Sequence, residues 1–129
     1  MIYLDTSVAL AQLLGEDRQP APALWEESLV TSRLLEYELL VRLNARRLSA
    51  SHGEAAQQLI ARLALLELSP PVLARALEPF PVDLRTLDAL HLASLEFLRG
   101  QGVEVALASY DTRMLAAAQA LDIPLASCV

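Results

Sequence analysis

The chain has 129 residues, 54% of them apolar, with 16 acidic and 10 basic side chains and a formal net charge of −6. That length fits one domain, residues 1–129, whose core needs no disulfide or metal staple. The acidic balance weighs against a protein that holds nucleic acid by wrapping its backbone in cations, and charges interrupt every apolar stretch before the roughly eighteen residues that a membrane span requires. Asp5 breaks the first apolar run too early for a secretory signal. Cys128 stands alone, can form no internal disulfide and suits a reducing cytoplasm. All ten basic residues are arginine, whose planar fork matches phosphate better than lysine does, although a codon bias explains this as readily.

Met1–Asp5 is a short β-branched and aromatic run, and Thr6 and Ser7 lead into Val8–Leu14 with helical spacing, which predicts strand, turn and helix. Pro20 and Pro22 open a short helix to Leu29, Leu29–Thr31 reads as a brief strand, and Ser32 as the cap of a long helix reaching Leu48. Ser51 and Glu54 have the spacing of a capping box for the next helix, which ends before a third strand at Leu65–Leu68. Pro70 and Pro71 begin another helical stretch, and Glu78–Val82 is a loop. A long helix over Leu84–Arg99 is closed by Gly100 and Gly102. Val103–Ala108 then forms a buried strand, Asp111 caps an Ala- and Leu-rich helix, and Ile123–Ala126 gives a last short strand.

Strands that are continuous apolar runs and alternate with helices predict an α/β fold, its mostly parallel sheet covered on both faces. Ligands of such sheets bind beyond the carboxyl ends of the strands, where Asp5 and Asp111 both stand. Taken singly, each of these two reads as a helix N-cap worth about 1 kcal/mol. Glu38 and Asp88 differ, because each lies inside a helix on the apolar stripe. Glu38 shares its face with Leu34, Leu35, Val41 and Arg42, and Asp88 with Leu84, Arg85, His91 and Leu92.

A buried, unpaired carboxylate is costly, so each needs a cation, a hydrogen-bond network or a shifted pKa. Arg42 and Arg85 are the local partners on offer. Taken together, four carboxylates converging at one rim of a parallel sheet make a hard-oxygen site for Mg²⁺ or Mn²⁺. Residues for a zinc site or a thiol enzyme are lacking. His91, one turn after Asp88, invites a general-base role but reads more simply as a packed, hydrogen-bonded core residue, and His52 as surface. Trp25 and the tyrosines are too scattered to stack nucleic-acid bases.

Four segments in order, Tyr3-Leu-Asp-Thr-Ser7, Ser32-Arg-Leu-Leu-Glu-Tyr-Glu38, Leu87-Asp-Ala-Leu-His-Leu-Ala93 and Ser109-Tyr-Asp111, resemble the motifs of PIN domains over nearly the full length. The resemblance implies a three-layer α/β/α sandwich with a central parallel sheet, an acidic pocket binding Mg²⁺ or Mn²⁺, and hydrolysis of RNA phosphodiester bonds by metal-activated water. By motif position it makes Asp5, Glu38, Asp88 and Asp111 the catalytic, metal-binding acids, with Thr6 and Ser109 as supporting hydroxyls; Ser109 stands where the family often has Thr. Glu36 lies on another face, and the distance from Ser32 favours Glu38. Arg42, Arg46, Arg47, Arg85 and Arg113 are candidate RNA contacts.

Short chains of this kind are similar to VapC-type toxins, which implies an RNA substrate, a cognate antitoxin and a homodimer. Surplus apolar surface would serve the dimer or a groove for an antitoxin helix. The alternative is a non-catalytic metal- or protein-binding α/β module acting within a complex. A receiver domain would need a lysine near its acidic pocket, and a haloacid-dehalogenase-like phosphatase a second Asp where Ser7 stands.

Overall fold

Four short strands, β1 (Ile2–Leu4), β2 (Leu29–Ser32), β3 (Ala64–Leu66) and β4 (Ala106–Ala108), form a wholly parallel sheet in the order β3-β2-β1-β4 in the computed structural model, which describes residues 1–129. Six helices surround it: α1 (Thr6–Leu14), α2 (Arg33–Ala45), α3 (Ser49–Ala61), α4 (Pro70–Ala76), α5 (Thr86–Gly100) and α6 (Thr112–Ala120). No helix is long and apolar enough to cross a membrane.

The alternation of side chains along β1 divides the core in two. Ile2 and Leu4 pack into one cluster with Val8 of α1, Leu35, Leu39 and Leu43 of α2, and Leu59 and Ile60 of α3. Tyr3 points the other way, among Leu92 and Leu95 of α5 and Met114, Ala117 and Ala118 of α6. Helices therefore cover both faces, giving the expected α/β/α sandwich.

The chain runs outward from β1 to β2 and β3, then crosses back to lay β4 on the opposite side of β1. Strand order thus reverses between β1 and β4, and a crevice opens beyond their carboxyl ends. Ile2 is paired with both Leu29 and Ala106, and Leu4 with Ala108, so Asp5 and Ser109 leave the sheet side by side.

Several boundaries differ from the sequence-based expectation, each for a local reason. Helix α1 begins at Thr6 and not Val8, leaving Asp5 at its N-cap. The turn after Pro22 is a 3₁₀ turn ending at Glu26, short of Leu29, which already belongs to β2. Ser32 caps α2 as expected, accepting from the Leu34 amide at 3.1 Å, but the helix stops at Ala45 because Arg47 takes a left-handed φ of 57°. The capping box at Ser51 and Glu54 does not form: α3 starts at Ser49, and the Ser51 hydroxyl donates to the Leu48 carbonyl at 3.2 Å.

Strand β3 takes Ala64–Leu66, since its pairing with β2 ends at Ser32 opposite Leu66. Of Val103–Ala108 only Ala106–Ala108 is strand, matching the three residues that β1 offers. Helix α5 begins at Thr86, two residues later than expected. Ile123–Ala126 makes a single bridge, Leu107 with Leu125, held by backbone bonds from Leu107 to Pro124 and from Ala126 to Leu107, both 2.8 Å.

Candidate active site

Asp5 follows β1 and is only 4% exposed. Its carboxylate does not cap α1. Oδ2 instead accepts from Ser7 Oγ at 2.6 Å and Ser109 Oγ at 2.8 Å, so the capping reading fails through a partner just after β4, remote in sequence. The two hydroxyls also accept in turn, Ser7 from the Tyr110 amide and Ser109 from the Asp111 amide, each at 3.0 Å. The end of β1 is thereby tied to the turn that carries Asp111.

For Asp111 the capping reading holds: Oδ1 accepts from the Met114 amide at 2.9 Å. Its other oxygen, Oδ2, lies 3.9 Å from an Arg85 nitrogen. Asp88, in the first turn of α5, also approaches Arg85, at 3.8 Å. The guanidinium therefore stands between two carboxylates, but its side chain is 79% exposed and such solvated pairs contribute little. Burial, then the charges of Asp111 and Asp5, push the Asp88 carboxyl above its usual range; Arg85 offsets only part of that. The carboxylates repel one another because they face a common space.

Glu38, in the second turn of α2, does not pair with Arg42 as its helical neighbours suggested. Oε1 accepts from Thr6 Oγ1 at 3.0 Å and from His91 Nε2 at 2.5 Å. Nδ1 of His91 lies 2.8 Å from the Tyr3 hydroxyl, which accepts from the Ser32 amide at 3.1 Å. His91 is 1% exposed, so the core reading is right about its burial and silent about its partners. Burial raises the Tyr3 phenol well above its ordinary pKa, so it keeps its proton.

Asp5, Thr6, Glu38, Asp88 and Asp111 line one cleft of about 760 Å³, together with Arg42 and Arg85. Ser109 lies buried beneath it, bonded to Asp5. Arg46, Arg47 and Arg113 are exposed outside the lining. Glu36 also stays outside, 3.9 Å from Arg33. Sequence reasoning missed Ser7, Glu16 and Tyr110, which belong to the cleft, and Tyr3, which reaches it through His91. Ser7 has a signal, its hydroxyl two residues past Asp5, but the family resemblance assigns that support to Thr6; in the fold Thr6 serves Glu38.

The donors are carboxylate and hydroxyl oxygens, the chemistry that Mg²⁺ and Mn²⁺ select. Their side chains are gathered but not closed: no three His, Cys, Asp or Glu groups surround a common ion-sized point. Arg85 stands between Asp88 and Asp111.

The PIN domain family model matches residues 2–120. Among relatives, the chain is 34% identical over 122 residues to the ribonuclease VapC47 of Mycobacterium tuberculosis, covering 89% of this chain and 88% of that protein. It is 36% identical over 125 residues to the ribonuclease VapC46 of the same organism, covering 93% and 92%. Among solved structures, that of the M. tuberculosis toxin VapC20, described as cleaving the sarcin–ricin loop, superposes with a TM-score of 0.66 at 22% identity, over 91% of this chain and 95% of that one.

Proposed function

The chain belongs to the PIN-domain family, alongside its VapC-type members, and on that premise we propose that it is a metal-dependent endoribonuclease, the toxin of a type II toxin–antitoxin pair. The observation that carries this reading is that Asp5, Glu38, Asp88 and Asp111, from separate elements, face one cleft at the reversal point of a parallel sheet. PIN-domain nucleases are metal-dependent in general, and the donor set here favours Mg²⁺ or Mn²⁺. Asp5, Asp88 and Asp111, with Glu38, would hold the ion. When bound, it would supply an activated water and neutralise charge developing on the scissile phosphate.

The chain's own residues prepare the rest. Ser7 and Ser109 fix the Asp5 carboxylate, and the α6 cap fixes one oxygen of Asp111. Arg85, held only by weak exposed pairs, is free to turn from Asp88 and Asp111 to an RNA phosphate, and Arg42 lies on the same cleft wall. Arg46 and Arg113 would serve only an RNA that extends beyond the cleft.

VapC-type toxins act on RNA and pair with antitoxins. For this chain a cognate antitoxin, a homodimer and a cytoplasmic location are part of the proposal. Exposed Tyr37 and Val41 on α2, with Leu73 and Leu77 at α4, offer apolar surface for such contacts.

Purified protein incubated with structured and unstructured RNAs tests the reading, beside a mock preparation. Cleavage is expected in Mg²⁺ or Mn²⁺ and none in EDTA. Cutting that persists in EDTA would contradict the proposal, and no cutting of any RNA with metal would favour a non-catalytic binding module.

A further inference from the structure

We propose that His91 is a positioning residue for Glu38: its Nε2–H grips the Glu38 carboxylate, and the Tyr3 hydroxyl on Nδ1 keeps the ring in the one tautomer that can do so. The inference rests on the metal-site reading above. At 1% exposure His91 cannot reach a substrate in the cleft, so it acts only through what it touches.

The hydrogen positions follow from what each partner can do. An ionised carboxylate only accepts, so the hydrogen between His91 Nε2 and Glu38 Oε1, 2.5 Å apart, belongs to the imidazole. In the neutral ring Nδ1 must then accept, and the Tyr3 hydroxyl 2.8 Å away is its donor. That hydroxyl already receives the Ser32 amide hydrogen, and its own is free to point at the ring. The hydroxyls of Thr31 and Ser94, also beside Tyr3, give their own hydrogens to the carbonyls of Leu4 at 2.7 Å and Leu90 at 2.8 Å, so neither donates to the phenol oxygen, and their lone pairs compete with His91 Nδ1 for the phenol hydrogen.

A closed circuit results. Ser32, at the start of α2, orients Tyr3 on β1, Tyr3 orients His91 on α5, and His91 returns to Glu38 on α2. Both bonds to Glu38, from His91 and Thr6, fall on Oε1, which leaves Oε2 without a hydrogen-bond partner on a residue that lines the cleft. With the other tautomer a ring lone pair would face the carboxylate, and Glu38 would turn away. A histidine kept for packing alone would have no need to join a cleft acid to the strand beside it.

The test combines Mn²⁺ titration calorimetry with ¹⁵N imidazole NMR of the metal-free protein. The wild type is expected to show His91 protonated on Nε2. His91→Leu should weaken Mn²⁺ binding by about 10- to 100-fold, the usual effect of losing a partner that orients a metal ligand. His91→Gln, which keeps an N–H donor, should recover most of that loss. In a Glu38→Gln background His91→Leu should add nothing, because His91 acts only through the Glu38 carboxylate.

Tyr3→Phe keeps the core volume should His91→Leu fail to fold. It is expected to mix the tautomers and weaken Mn²⁺ part of the way. Mn²⁺ bound equally by the wild type, His91→Leu and Tyr3→Phe, a loss that adds fully to Glu38→Gln, or a wild-type His91 protonated on Nδ1 alone would each overturn the proposal. Failure of the wild type to bind Mn²⁺ would overturn the metal-site reading and this inference with it.

Discussion

Asp88→Asn is expected to have two opposite effects: to lower metal-dependent RNA cleavage by about 100- to 1000-fold, and to raise the melting temperature of the metal-free protein at neutral pH. The first follows from the several kcal/mol that a bound divalent ion contributes to phosphoryl charge stabilisation, at roughly tenfold in rate per 1.4 kcal/mol. The second follows from Asp88's surroundings. Burial, then Asp111 and Asp5, hold its carboxyl above the ordinary value of 3.8. The folded state therefore binds this proton more tightly than the unfolded chain, and stability falls as pH rises through the interval between the two values and stays lowered above it.

An uncharged Asn escapes that penalty. The gain in melting temperature should vanish well below pH 3.8, where the wild-type carboxyl is protonated in both states, and should shrink when Mn²⁺ stabilises the wild type. Thermal melts across pH in EDTA, set beside cleavage assays, measure both effects. Equal melting at neutral pH would mean that the acids do not repel one another as described, and undiminished cleavage would remove Asp88 from the site.

Leu39→Ala should destabilise the protein by about 2–5 kcal/mol, through lost burial plus the cavity left behind. Leu39 is fully buried, and the Leu35, Leu39 and Leu43 stripe of α2 packs against the cluster that includes Ile2 and Leu4 of β1. Against a total stability of about 5–15 kcal/mol this is a large fraction. Because the same helix carries Glu38, the stripe sets that acid's distance from Asp5. Denaturant unfolding should show a lower midpoint with an unchanged slope. Val41→Ala, on the exposed side of α2, should stay within about 0.5 kcal/mol of wild type. Similar midpoints for the two variants would show that α2 is not anchored by this stripe.

Much of this architecture is legible along the chain because its signals are local. Apolar runs and helical spacing place the helices and the four strands, but the two acids' faces are legible only in part: Leu34 and Leu35 beside Glu38, and His91 and Leu92 beside Asp88, are buried, whereas Val41 and Arg42 are exposed and Leu84 and Arg85 precede α5. What escapes depends on distant partners. Asp5 reads as a cap until Ser109, just beyond β4, takes its carboxylate. Arg42 is the nearest cation to Glu38 in sequence, yet Thr6 and His91, from two other elements, bond it instead.

The short strands have the same origin. Val103–Ala108 could all be extended, but β1 provides only three residues to pair with. Where a boundary turns on one backbone angle, as at Arg47, composition carries almost no trace of it.

The most direct test of the central claim is an anomalous difference map from crystals of the wild-type protein soaked in Mn²⁺. A peak in the cleft at coordinating distance from Asp5, Asp88 and Asp111, with Glu38 beside it, is the expected result. No peak there, or one confined to other carboxylates of the surface, would contradict the assignment of these four acids as a metal site.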